Sequence, residues 1–516
     1  MTVTPRTIFA RRLAAGAGMI AISAALTMLA TKPVMAETPK RGGTLTIAIE
    51  TDVRGFDAVK GGVLGISGEA VMRTVQEPLI NYAPNGENSP RLATEWSVSD
   101  DQKVWLFKLQ RGVKHHDGSE LTAADVAHHY TRILDPKNKA RSRSFISAIK
   151  TVTPADDYTV KFELAHPWQA FLPFMGTTSM SGPIPSSANV EAEKQNRAPV
   201  GTGPFVFEKW AGGDRITVTR NPNYWNADQV YLDKVVFRIL PDTQTRFASL
   251  KSGEVDMIWT DRGNTIVKAK KDPDLQTHTA EGAGALITLF NTRSDHLSDP
   301  RVRAALSHAW NQNAVLQITW KNTVPAAKHP FRGQFDCGDA GYRDYDPAKA
   351  KELLADYGKP VTLTMIHTTT PRGRELGEMM QQMYKQVGVT LDLQPVDQNT
   401  LVKRVFTKKF DISGWRIADG ADIGPQIFAL HFSKSSYNLT GFGSPEIDKL
   451  AMGMRTAADM ETRQKLLCQF AEVMNDSGHI QYRGGRRYHA FSRQHVKNVP
   501  TIWRGVVDST SIWLDK

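Results

Sequence analysis

The chain has 516 residues, of which 41% are apolar and 23% charged, and it carries eleven more cations than acids. Those proportions exclude a disordered or collagen-like chain, and the length points to two or three lobes rather than one small domain. Two cysteines, Cys337 and Cys468, exclude a disulfide-built scaffold; one bridge or two buried thiols are the alternatives left open.

At the N-terminus Arg6, Arg11 and Arg12 precede an uncharged run from Leu13 to Thr31, and Val34-Met35-Ala36 places small residues at the −3 and −1 positions of a cut. This is the layout of a secretory signal peptide, residues 1–36, rather than of a membrane anchor. No cysteine lies near the cut, so a lipid-anchored mature N-terminus is excluded and a periplasmic protein is expected. The Arg11-Arg12 pair does not separate the general export route from the twin-arginine one. The first 36 residues hold four of the cations and no acid, which leaves an excess of seven after cleavage. The remaining basic residues are scattered among acids, so nucleic acid is not an expected partner.

Strands and helices then alternate. "GGTLTIAIE", "KVWLFKLQ", "YTVKFEL", "DRITVTRN", "KVVFRIL", "EVDMIWT" and "ALITLFN" alternate apolar and polar residues as strands do. "TAADVAHHYTRIL" begins with Thr122 and Asp125 in a capping-box arrangement. "DTQTRFASLKSG" runs from Asp242 to a stop at Gly253, and "DPAKAKELLADYG" has proline in its first turn and Gly358 past its end. Residues 361–396 read as strand, crossover helix and strand, with Leu376, Met379, Met380, Met383 and Val387 forming the helix's core stripe. The class is α/β.

Enzyme signatures are missing: no phosphate loop, no H-E-x-x-H, no C-x-x-C and no G-x-S-x-G occurs. Catalytic triads are defined by geometry, so a secreted hydrolase stays an alternative. His115, His116, His128 and His129 cluster in sequence, but neighbouring histidines on a helix point apart, and no metal site is expected there. "VGTGPFVF" reads as a tight re-entry into a sheet.

"FDISGWRIADGADIG" alternates as a strand up to Arg416. Ligands of open α/β sheets bind beyond the carboxyl ends of strands, which is where Gly414, Trp415, Arg416, Asp419 and Asp422 fall. The 361–367 strand ends at His367, followed by Arg372 and by Arg374 at the start of the crossover helix, whose free N–H groups favour anions. A zwitterion would suit both, its ammonium on a carboxylate and its carboxylate on a guanidinium. Helix capping or turn solvation by Asp419 and Asp422 is the bland alternative.

"GGTLTIAIETDVRGFD", "WLFKLQRGVKHHDGSELTAADVAHHY", "VGTGPFVFEKW", "NPNYWN", "LFNTRSDHLSDPRVRAALSHAWN", "YDPAKAKELL" and "GWRIADGAD", taken in order, resemble the extracellular solute-binding proteins of the peptide/nickel family that serve ABC importers. The resemblance implies a two-lobed periplasmic-binding-protein fold. One lobe would combine 37–78, 205–285 and 491–516, an additional small domain would span 79–204, and the second lobe 286–490. It further implies a monomer without cofactor or metal, which binds a small peptide or peptide-like solute between the lobes and docks on membrane permease subunits. Opines, oligosaccharides and nickel chelates are the family's other ligands. Peptide-binding members anchor the ligand ammonium with an aspartate after Gly-Trp; Asp419 matches it, with Asp422 second. Where some members have a carboxylate-binding arginine, this chain has His367, which puts that clamp in doubt.

Overall fold

The structure, a computed structural model, describes residues 38–60, 65–82, 87–168, 171–176, 182–331, 335–417, 423–457, 459–502 and 505–516. The signal-peptide segment and both Asp419 and Asp422 therefore lie outside the described residues.

One ten-stranded sheet organises the molecule. From edge to edge its strands are Val389–Val396, Val361–Thr368, Ile412–Ile417, Leu275–Phe290, Ile480–Arg493, Met257–Thr260, Thr44–Ile49, Lys234–Ile239, Arg215–Arg220 and Phe205–Ala211. The 361–396 unit is the parallel pair expected from its pattern, in continuous register from Val361 opposite Val389 to Thr368 opposite Val396. Its helix, Pro371–Lys385, buries Met380 and Tyr384 against Leu363, Met365 and Leu391. On the other side, Thr44–Ile49 lies parallel to both Lys234–Ile239 and Met257–Thr260. Its core joins Leu45, Phe205, Val218 and Phe237 to Val506, Ile512 and Leu514 from the C-terminus.

Two long antiparallel strands, Leu275–Phe290 and Ile480–Arg493, join the halves into two lobes. At one end Ile480–Arg493 pairs with Met257–Thr260; at the other Leu275–Phe290 pairs with Ile412–Ile417. Between those ends the register shifts from Gly282 to Leu286 and again before Ile287. Gly284 has φ 80° at this point, a left-handed conformation that glycine adopts without steric cost. The sequence pattern predicts only the far end of the first strand and none of the second.

A separate four-stranded antiparallel sheet, in the order Ala93–Val98, Val104–Leu109, Thr159–Leu164 and Ile149–Asp156, is covered by helix Ala123–Leu134. Phe107, Tyr130, Phe162 and Phe171 fill its core. Thr122 and Asp125 form the predicted capping box. The "VGTG" turn is a close backbone approach: a β-carbon on Gly201 would stand 2.5 Å from the Val75 carbonyl oxygen, and one on Gly203 would stand 2.6 Å from that of Thr74.

Cys337 and Cys468 are bonded, with their Cα atoms 5.1 Å apart, and the bridge ties a loop to helix Met460–Ser477. It closes a chain segment 131 residues long, and loop closure of that length stabilises a fold by about 2–4 kcal/mol. Dithiothreitol, or Cys468→Ser, is expected to lower the unfolding free energy by about that amount. Urea denaturation with and without reductant measures it, and identical midpoints would contradict the expectation.

Candidate functional site

The carboxyl ends of three strands meet where the lobes face each other. Thr44–Ile49 is followed by Glu50, and Met257–Thr260 by Asp261 and Arg262. From the opposite lobe come Arg372 and Glu375 in the first turn and a half of helix Pro371–Lys385, together with Arg416 of strand Ile412–Ile417.

Ion pairs cross the gap. Arg372 donates from Nη1 to the Asp261 carboxylate, and its Nη2 stands 3.5 Å from Glu50 Oε1. Arg262 Nη1 donates to Glu375 Oε2 at 3.1 Å. Burial pushes the Asp261 carboxyl up, but Arg372, Arg262, Arg486 and Arg246 outweigh it and hold the group below the ordinary carboxylate range. Asp261 in turn raises the Arg372 guanidinium. Both partners are thus charged at neutral pH, and the pairs tie the lobes shut. Pairs of this kind form and break readily because Arg372 keeps 41% of its side chain accessible.

A recess of about 390 Å³, its mouth included, opens on the first lobe's side. Glu50, Ile66, Ser67, Trp259, Gly505 and Val507 are among its walls. The Trp259 indole Nε1 is buried and has no hydrogen-bond partner among the described residues. Arg416 reaches this wall from the opposite lobe, its Nη2 lying 3.6 Å from where a β-carbon on Gly65 would stand. Arg416 makes no hydrogen bond or ion pair to another described residue, and its side chain is accessible from the recess. Burial, then the neighbouring Arg486, lowers its guanidinium from its ordinary value.

The other residues singled out from the sequence are placed as follows. Gly414 gives the crossover helix room: a β-carbon there would lie 2.9 Å from Leu376 Cδ2. Trp415, one residue on and therefore on the opposite face from Arg416, meets Phe406 edge-on at 6.3 Å. Its carbonyl accepts from Arg483 Nη2 at 2.9 Å. Burial, then Arg372 and Arg486, lowers the Arg483 guanidinium to about 9, so it stays charged at neutral pH. His367 is 5% exposed and packs its ring against Gly377 under the crossover helix, so it does not open onto the cleft. Arg374 is exposed on the helix's first turn. Among the described residues no group of three or more His, Cys, Asp and Glu is arranged to hold a metal ion, and His116 Nε2 is hydrogen-bonded 3.0 Å from the Gly203 carbonyl oxygen.

Pattern reasoning missed Glu50, Trp259, Asp261, Arg262, Glu375, Arg483 and Arg486. A signal existed for four of them. "GGTLTIAIE" and "EVDMIWT" are recognisable strands, and the rule that ligands lie beyond strand carboxyl ends selects Glu50, Trp259, Asp261 and Arg262.

Residues 87–438 match the family model described as bacterial extracellular solute-binding proteins, family 5, and the chain belongs to that family. Its members are solute-binding proteins. The curated "Probable di/tripeptide-binding protein 5" of Pseudomonas aeruginosa (strain UCBPP-PA14) is 28% identical over 482 residues, which cover 86% of this chain and 90% of the relative. Among solved structures, the Helicobacter pylori periplasmic binding protein DppA in complex with the peptide STSA has a TM-score of 0.84 at 24% identity, covering 92% of this chain and 99% of that one. AgaA of A. tumefaciens R10, in complex with agropinic acid, has a TM-score of 0.82 at 25% identity, with the same coverage of both chains. The α/β, two-lobed fold is that of these proteins. Among the described residues no helix is long and apolar enough to cross a membrane.

Proposed function

We propose that the protein is the substrate-binding component of an ABC importer, capturing a small peptide or peptide-like solute between its lobes and delivering it to membrane permease subunits. The observation that carries this reading is the set of ion pairs across the cleft, Arg372 with Asp261 and Glu50, and Arg262 with Glu375. Such pairs form only when the lobes close, so a solute that fills the gap is enclosed, and differential affinity for the closed form drives the motion. Relatives named for di/tripeptide binding support the solute class, and the agropinic acid complex supports an opine as the second reading.

The same reading makes residues 1–36 a cleaved signal peptide and places the mature protein in the periplasm. It divides the chain into 37–78 with 205–285 and 491–516, an added domain at 79–204, and 286–490. It assigns ligand contacts to Arg372, Arg416 and the Gly414–Asp422 segment, with Asp419 or Asp422 taking an ammonium group. The protein releases its solute chemically unaltered.

Titration calorimetry of Asp419→Ala against a di- and tripeptide library tests the anchor. Affinity for the best ligand is expected to fall by about tenfold or more, the worth of one charge-assisted hydrogen bond. Unchanged affinity for every member would remove Asp419 from the site, and hydrolysis of the ligand would favour an enzyme.

A further inference from the structure

Among the described residues the cleft holds more arginine than acid. Arg262, Arg372, Arg416 and Arg483 surround it, whereas its described carboxylates are Glu50, Asp261 and Glu375.

The distribution matters more than the total. All three described acids are engaged by Arg372 and Arg262. Arg483 is held by neutral groups, the carbonyl oxygens of Ile287 and Trp415 at 3.1 and 2.9 Å. Carbonyl oxygens orient a guanidinium but leave its charge uncompensated. Arg416 extends toward a wall where the Trp259 indole N–H is unmatched, and it makes no hydrogen bond or ion pair to a described residue; Glu50, the acid that acts on it, is already engaged by Arg372. A guanidinium whose nearby acid is already shared gains from a bound anion, which makes a bidentate, charge-assisted contact with it.

We propose that the solute is net anionic, with more carboxylates than amines, and that Arg416 seats one of its carboxylates when the lobes close. The inference rests on the solute-binding reading above and narrows it to a charge class. Two sources share this chemistry, an acidic peptide and an imino diacid of the opine type. They differ in whether a peptide bond or a secondary amine joins the two units.

Calorimetry on the mature chain with four probes tests it. Ala-Glu and N-(1-carboxyethyl)alanine each carry two carboxylates and one amine, Ala-Ala is neutral overall, and Ala-Lys is cationic. The two anionic probes are expected to bind about tenfold or more tighter than Ala-Ala, and Ala-Lys about tenfold weaker. Arg416→Ala is expected to weaken the anionic probes by about 10–100-fold, several-fold more than it weakens Ala-Ala, and Arg416→Lys to restore part of the loss. The tighter of the two anionic probes identifies the source. Ala-Ala or Ala-Lys binding as well as Ala-Glu would overturn the proposal while leaving solute binding intact. So would anionic probes indifferent to Arg416→Ala. Failure of all four to bind a folded protein would instead overturn the peptide-like reading on which it rests.

Discussion

Glu77→Ala is expected to cost about 3–5 kcal/mol of stability, the usual penalty for stripping one partner from a buried ion pair. Glu77 is fully buried, and four donors converge on its carboxylate. Arg91 Nε and the Tyr224 hydroxyl each donate to Oε1 at 2.8 Å, while Thr202 Oγ1 and the Trp225 indole donate to Oε2 at 2.8 and 3.1 Å. These donors come from distant parts of the chain, so the carboxylate fastens the segment after helix Ile66–Val75 to the "VGTG" turn and to the "NPNYWN" segment. Removing it leaves a guanidinium and three donors unmatched in a dry interior. Glu77→Gln fares little better, because its amide nitrogen would face donors. Urea denaturation followed by tryptophan fluorescence reads the loss, with Trp225 as a local reporter. A change below about 1 kcal/mol would mean that water replaces the carboxylate.

Much of this architecture is legible in the residues, and the parts that are not have physical causes. Alternation reveals strands that expose one face, such as Thr159–Leu164, and the 361–396 unit shows its helix by a stripe of apolar residues at helical spacing. Strand Ile480–Arg493 escapes notice because Arg483, Arg486 and Arg487 interrupt its apolar pattern. Those arginines are tolerated because the strand runs through the junction of the lobes, where carbonyl oxygens and Glu281 accept from them. Trp415 and Arg416 are adjacent in sequence and equally conspicuous, yet only the sheet tells which face each takes. The Cys337–Cys468 bridge depends on proximity across 131 residues, which no local pattern reports. Glu77, the hub of the first-lobe junction, sits in a stretch with no motif of its own.

Lowering the pH from 7 to 5 is expected to remove about 2 kcal/mol of stability through buried His431, with buried His479 adding in the same direction. Ser477 Oγ donates to the Met474 carbonyl oxygen at 3.0 Å, so it accepts from His479 Nδ1 at 2.6 Å. His479 Nε2 is then an acceptor for His431 Nδ1 at 2.9 Å, which makes both rings neutral. Phe442 stacks on His479 with ring centroids 4.5 Å apart, and Phe470 meets His431 edge-on, so both imidazoles are enclosed by aromatic rings. Burial pushes His431 down to about 3 and His479 well below its ordinary value. Each base therefore has a folded pKa below its unfolded value of about 6.5. Between the two pKa values the unfolded chain binds more protons, so stability is full above pH 6.5 or so and drains away as the pH falls toward 3. At pH 5 His431 accounts for about 2 kcal/mol, and His479 adds to it in the same direction. His278 and His489 are shifted the same way by burial and add to the effect. Urea midpoints at pH 7, 6 and 5 measure the slope, and His479→Gln is expected to make it shallower. A wild-type loss below about 1 kcal/mol would show that the pair takes up a proton without unfolding.

Small-angle X-ray scattering with and without a saturating solute from the binding screen tests the capture of solute by lobe closure most directly. The protein is expected to become more compact on binding, and Asp261→Ala, which breaks the link to Arg372, to leave more of the unliganded population open. Superimposable scattering curves for the free and saturated protein would contradict closure over a solute.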